Sequence, residues 1–193
     1  MTNEMEHRVF YFNEKGPINT KKTLEIALAC SKERNIGKIV VASSTGETAL
    51  KLYEMAANPI EIMAVSYGAG SRFTSEVEKF NKNRDRLVDK GIHIVRGILA
   101  LSGVEKTFVN KYKSNFIPLS IVADTLRIFS QGVKVCVEIG IMAAEHGYIT
   151  PDEEVVVVAG SGHGADTALV INPAFASDIF ETKIKALLCM PIA

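Results

Sequence analysis

Two uninterrupted apolar runs, Ile39-Val40-Val41-Ala42 and Val155-Val156-Val157-Val158-Ala159, limit the fold more than any other feature. Neither run alternates with polar residues. Strands of that kind are covered on both faces, as in the sheets of α/β proteins. Around them, short β-rich runs (9–12, 38–42, 60–65, 92–95, 154–159, 167–171 and 184–188) are separated by patterns of helical period. Helices are expected from Asn19 to a stop at Gly37, over 47–57 with Asn58-Pro59 as the stop, and over 75–90, 119–129 and 133–145. The stretch 104–113 has no clear pattern, and 184–188 reads as an edge strand. Strands and helices at this spacing imply βαβ units with right-handed crossovers. No repeat, low-complexity tract or linker interrupts them. The reading is one three-layer α/β/α domain over 1–193.

A chain of 193 residues, 47% hydrophobic, can bury roughly 70% of its unfolded surface without disulfides or metal. Lys plus Arg and Asp plus Glu both count 22, so there is no basic field to attract nucleic acid. No apolar run approaches the ~20 residues of a membrane span. The start, MTNEMEHR, is too polar for a signal peptide. Cys30, Cys136 and Cys189 are far apart in apolar surroundings and read as reduced thiols in a cytoplasmic protein. A homo-oligomer is expected only because edge strands in such folds tend to pair.

The first chemical signal is Ser43-Ser44-Thr45-Gly46-Glu47-Thr48, where a strand passes directly into a helix. Gly46 permits a tight turn. The first-turn N–H groups and helix dipole then favour an anion, most often phosphate. Ser43, Ser44, Thr45 and Thr48 add hydroxyls. The other reading is plain capping of the helix by Ser44 or Thr45. No Walker lysine is present.

The second signal is Gly160-Ser161-Gly162-His163-Gly164-Ala165-Asp166-Thr167 after the valine run. It satisfies a dinucleotide spacing, but a β-like segment follows where a helix is required, so the NAD reading fails. A hairpin-like loop that cradles a ligand through backbone N–H groups remains, beside a loop shaped only by turn demands. Asp166 either accepts a ligand hydroxyl or caps the turn. His163 is a candidate acid or base without an identified partner.

The third signal is positional. Ser66-Tyr67-Gly68-Ala69-Gly70 and Leu101-Ser102-Gly103 follow stretches of β character, and open α/β sheets bind ligands beyond the carboxyl ends of their strands. Tyr67 either stacks on a planar ligand or is a half-buried aromatic. Asn13, Asn19 and Thr20 reach the same edge, with Asn19 equally a helix cap. Glu138, on an apolar helix, needs a buried partner or a ligand. No metal-ligand spacing, CxxC, HExxH or G-x-S-x-G occurs.

The segment from Ile39 to Tyr67, with Ser43-Ser44-Thr45-Gly46-Glu47-Thr48-Ala49 at its centre, resembles the allosteric C-terminal domain of pyruvate kinase, whose equivalent loop holds a sugar phosphate. The stretch 142–171 resembles the closing segment of that domain. Asn19-Thr20, Ala42-Ser43-Ser44, Gly46, Thr48-Ala49, Lys134-Val135-Cys136-Val137-Glu138-Ile139, Ile141-Met142-Ala143-Ala144 and Gly164-Ala165-Asp166-Thr167-Ala168 extend the likeness over nearly the whole chain. It is similar to stand-alone, mostly prokaryotic proteins of that fold. The chain departs from them at Gly70-Ser71-Arg72-Phe73, where a longer Gly-Phe loop is usual. The resemblance implies a mixed, mainly parallel sheet with one antiparallel strand near the C-terminus. It also implies flavin mononucleotide as the ligand. The phosphate would sit on Ser43, Ser44, Thr45, Gly46 and Thr48, and the rest within Tyr67 and 160–167. Pyruvate kinase chemistry belongs to a separate barrel domain, so phosphoryl transfer to or from pyruvate is not expected.

Four functions are therefore expected in competition. They are a flavin-binding protein, with or without oxidoreductase activity, a sugar-phosphate-sensing module, a hydrolase or transferase using His163 and Asp166, and a ligand-free scaffold.

Overall fold

A computed structural model describes residues 6–57, 59–113 and 117–192, apart from the side chain of Lys106. The polar start, 1–5, and Asn58 of the expected helix stop lie outside the described residues. Seven strands, β1 (Phe10–Phe12), β2 (Lys38–Ala42), β3 (Glu61–Tyr67), β4 (His93–Gly97), β5 (Val155–Ala159), β6 (Thr167–Asn172) and β7 (Lys183–Pro191), form one sheet in the order β1-β7-β6-β5-β2-β3-β4. The helices are α1 (Thr20–Glu33), α2 (Glu47–Met55), α3 (Thr74–Asp89), α4 (Glu105–Tyr112), α5 (Pro118–Arg127) and α6 (Gln131–Glu145). β6 alone runs antiparallel to its neighbours, so the sheet is mixed and mainly parallel.

The two valine-rich runs became central strands because both faces are covered. On one face Ile39, Val41, Val156 and Val158 pack with Leu24, Leu50, Leu52 and Phe80 from α1, α2 and α3. On the other face Val40, Val155 and Val157 pack with Val133, Cys136, Ile139 and Met142 of α6. Helix α6 is buried along most of its length, which explains why its sequence is apolar all round.

Two expectations hold and one needs correction. Segment 184–188 is an edge, paired with β6 alone. Cys189, Met190 and Pro191 pair with Phe10, Tyr11 and Phe12, so β7 lies between β1 and β6 there, and only its first half has an open side. Ser66 and Tyr67 belong to β3 rather than to its exit loop, because Arg96 and Gly97 continue the ladder beside them. Leu101-Ser102-Gly103 is a turn after β4, as expected. The unassigned stretch after it contains α4.

All three cysteines are buried and unbridged. Burial raises each thiol pKa, that of Cys189 to about 12 and that of Cys136 well above its ordinary value. Unfolding returns them to the ordinary thiol range, about 8.5. The unfolded chain therefore ionises first as pH rises. The stability that the neutral thiols contribute is complete below that range and declines toward pH 12. Urea unfolding should show a midpoint falling above about pH 9. The fall should be shallower when Cys136 and Cys189 are both replaced by alanine, and an identical profile would contradict this.

Candidate functional site at the carboxyl edge of the sheet

The loops after β1, β2, β3, β4 and β5 all emerge at one edge, and between them lies a cavity of about 800 Å³. That size falls within the usual range for small-molecule sites. α2 stands on one face of the sheet and α6 on the other, so the cavity spans the sheet edge from one helical layer to the other. First-turn residues of three helices reach it: Thr20 of α1, Glu47 and Thr48 of α2, and Gln131 and Lys134 of α6. Their N-terminal dipoles each place a positive partial charge at this edge.

One pole is the loop from β2 to α2. Gly46 sits at φ +87°, open to glycine and strained for other residues. A Cβ there would also approach Asn83 of α3 to 3.1 Å, so the tight turn is set by packing as well. The loop carbonyls are tied down. Asn83 Nδ2 donates to Thr45 O at 2.9 Å and Ser66 Oγ donates to Ser44 O at 3.1 Å. Capping is performed by neither expected residue in full. The buried Ser43 hydroxyl accepts from Ala49 N at 3.1 Å, whereas Thr45 Oγ1 takes only a long contact from Glu47 N, 3.4 Å. Ser43 succeeds because Gly46 folds the loop back over it. Ser44, Thr45, Thr48 and Lys51 then face the cavity.

The second wall is the β5–β6 hairpin loop. Asp166 is fully buried and faces inward. Its Oδ2 accepts from Gly16 N (2.8 Å) and Ser161 N (3.1 Å), and its Oδ1 accepts from the Thr167 hydroxyl (2.8 Å). The turn-capping role thus holds, and none of these donors is His163. Thr20 Oγ1 accepts from Ala165 N at 3.0 Å, mooring the loop to α1. Gly164, at φ +72°, lies so close that a Cβ would come within 2.7 Å of Pro17 Cα. Asn19 caps nothing with its side chain, which donates instead to Glu14 O. His163 is exposed on the loop tip, close enough to Glu76 of α3 to help hold that carboxyl low, although the Ser75 hydroxyl is the larger cause.

The third wall is apolar and aromatic. Tyr67 stacks on Phe73, centroids 4.8 Å apart and planes 24° from parallel, and burial raises its phenol pKa. Phe73 comes from the segment between β3 and α3. Beside them, Leu99, Val135 and Ile139 line the cavity with the ion pair of Lys134 and Glu138, N–O 2.6 Å. Glu138 thus has the buried partners its position demanded: Lys134 one turn earlier and the Leu101 amide at 3.0 Å.

Of the residues singled out from sequence, Thr20, Ser43, Ser44, Thr45, Thr48, Tyr67, Ser102, Glu138, Gly160, Gly162, His163 and Gly164 line the cavity. Asn19, Gly46, Gly68, Gly103, Ser161, Asp166 and Thr167 do not; several of them hold the walls in place. Sequence reasoning missed Lys51, Lys79, Arg127, Lys134 and Phe73 as wall residues. The i,i+4 spacing of Lys134 and Glu138 within an apolar helix was the available signal. Among the described residues no cluster of three or more His, Cys, Asp or Glu side chains is arranged to hold a metal. No helix among them is long and apolar enough to cross a membrane.

A second, smaller cleft of about 390 Å³ lies among Leu28, Ile36, Met55 and Pro59. It shares no residue with the carboxyl-edge site. The glycine turn between β2 and α2 stands beside a mixed sheet with one reversed strand. The family model for the pyruvate kinase alpha/beta domain matches residues 21–171, most of the chain. The chain belongs to the pyruvate kinase alpha/beta domain family.

Proposed function

We propose that this protein binds a phosphorylated planar ligand, flavin mononucleotide best, across the carboxyl edge of its sheet. The observation that carries this reading is the polarity of the cavity. A hydroxyl-rich helix N-terminus with Lys51 stands at one side, and the Tyr67–Phe73 aromatic pair and an apolar wall provide a face for a ring. The cavity volume and donor set suit the group. The phosphate would rest on Ser44, Thr45 and Thr48, and the ribityl chain would lie along the glycine loop. A bound flavin would supply electron-transfer chemistry; the chain's part is to bind, orient and shield it.

Titration of the purified protein with flavin mononucleotide tests this by quenching of flavin fluorescence. Saturation with one equivalent and competition by inorganic phosphate are expected. A second reading is favoured by the family match, namely a module that senses a sugar phosphate. Thermal stabilisation by sugar phosphates, with none by the flavin, would replace the first reading by the second. A ligand at a hundredfold excess over its Kd stabilises by about 2.7 kcal/mol, well within reach of a melting experiment.

A further inference from the structure

The buried pair Lys134–Glu138 deepens the proposed function and rests on it. Both side chains are nearly sealed from solvent, 4% and 3% exposed, yet both line the cavity. A buried ion pair is weak evidence for stability, since apolar residues of similar volume commonly serve as well. Its place in the wall suggests a different use. The ammonium brings donors and the carboxylate brings acceptor lone pairs, held side by side at 2.6 Å. Glu138 is fixed by the Leu101 amide, which engages Oε1 and leaves further lone pairs on both oxygens. Val135, Ile139 and Leu99 make the surroundings apolar, which strengthens any polar contact formed there. The pair also stands on the opposite helical layer from Ser43–Thr48, so a ligand anchored by phosphate presents its far end to it.

We infer that Lys134 and Glu138 are the specificity-determining residues for the ring. They select a ligand edge in which a carbonyl adjoins an N–H, as in an imide or lactam. Lys134 donates to the carbonyl and Glu138 accepts from the N–H. A sugar phosphate has no such edge, and a flavin has one at its pyrimidinedione ring.

A two-by-two comparison tests this, using flavin mononucleotide and its 3-methyl analogue, which lacks the imide N–H. The wild-type protein is compared with the double variant Lys134→Met/Glu138→Leu, checked for folding by its melting transition. The wild type should prefer the unmethylated ligand by about tenfold or more, the worth of one hydrogen bond to a charged group. The double variant should bind both alike. Equal binding of the two ligands by the wild type overturns the inference, as does a double variant that still discriminates. A wild-type protein that takes up no flavin at all overturns the underlying functional reading as well, so the two failures are told apart.

Discussion

Replacing Asp166 by alanine should lower the unfolding free energy by about 3–5 kcal/mol, the largest loss expected from any single substitution at this edge. The carboxylate is fully buried and satisfies two amides and a hydroxyl. One of those amides, Gly16 N, belongs to the loop after β1, 150 residues away in sequence, so Asp166 ties the N-terminal loop to the β5–β6 hairpin. Alanine leaves all three donors without their acceptor, two of them in a buried place, and hydrogen bonds to a charged group are worth about 1.5–3 kcal/mol each before relaxation. Asparagine should cost less, about 1–2 kcal/mol, because one oxygen can still receive both amides. Urea unfolding at unchanged m-value reads both effects. A loss under about 1 kcal/mol for the alanine variant would show that the loop does not depend on this carboxylate.

The second large effect is on binding rather than folding. Ser44→Asp should weaken flavin mononucleotide by about a hundredfold or more, while stability changes by less than about 1 kcal/mol. Ser44 is half-buried in the cavity wall, and its carbonyl, which the substitution keeps, accepts from the Ser66 hydroxyl. A carboxylate near the start of α2 is compatible with the helix dipole, so the fold tolerates it. The same charge would meet a phosphate dianion at close range. Like charges ~4 Å apart repel by about 4 kcal/mol at the effective dielectric of a protein surface. Ser44→Ala, which removes only a hydroxyl, should cost no more than about tenfold. Fluorescence titration measures both variants. An aspartate variant that binds like wild type would move the phosphate elsewhere.

The sequence made the central strands legible because β-branched runs buried on both faces have little alternative, as Val155–Ala159 shows. The carboxyl-edge loops were legible for a similar reason. Glycine and hydroxyl residues directly after a strand have a limited set of uses. Long-range pairing was not legible. Nothing near 189–191 announces that Phe10–Phe12 will pair with it. Which hydroxyl caps α2 was also hidden, because the answer depends on how Gly46 packs on α3 rather than on local propensity. The role of Asp166 depended on an amide 150 residues away, so turn capping and ligand contact looked alike in one dimension. The cationic wall residues were missed because Lys51, Lys79 and Arg127 sit on helices where solvated charge is the ordinary use. Only Lys134 carried a readable cue, its spacing from Glu138.

The most direct test is a crystal structure of the protein grown with flavin mononucleotide. The phosphate should lie at the start of α2, within hydrogen-bond reach of the Thr48 amide and the hydroxyls of Ser44 and Thr45. The ring should extend past Tyr67 and Phe73 toward Lys134 and Glu138. A flavin seated in the cleft by Leu28 and Pro59, or with its phosphate away from α2, would contradict the account.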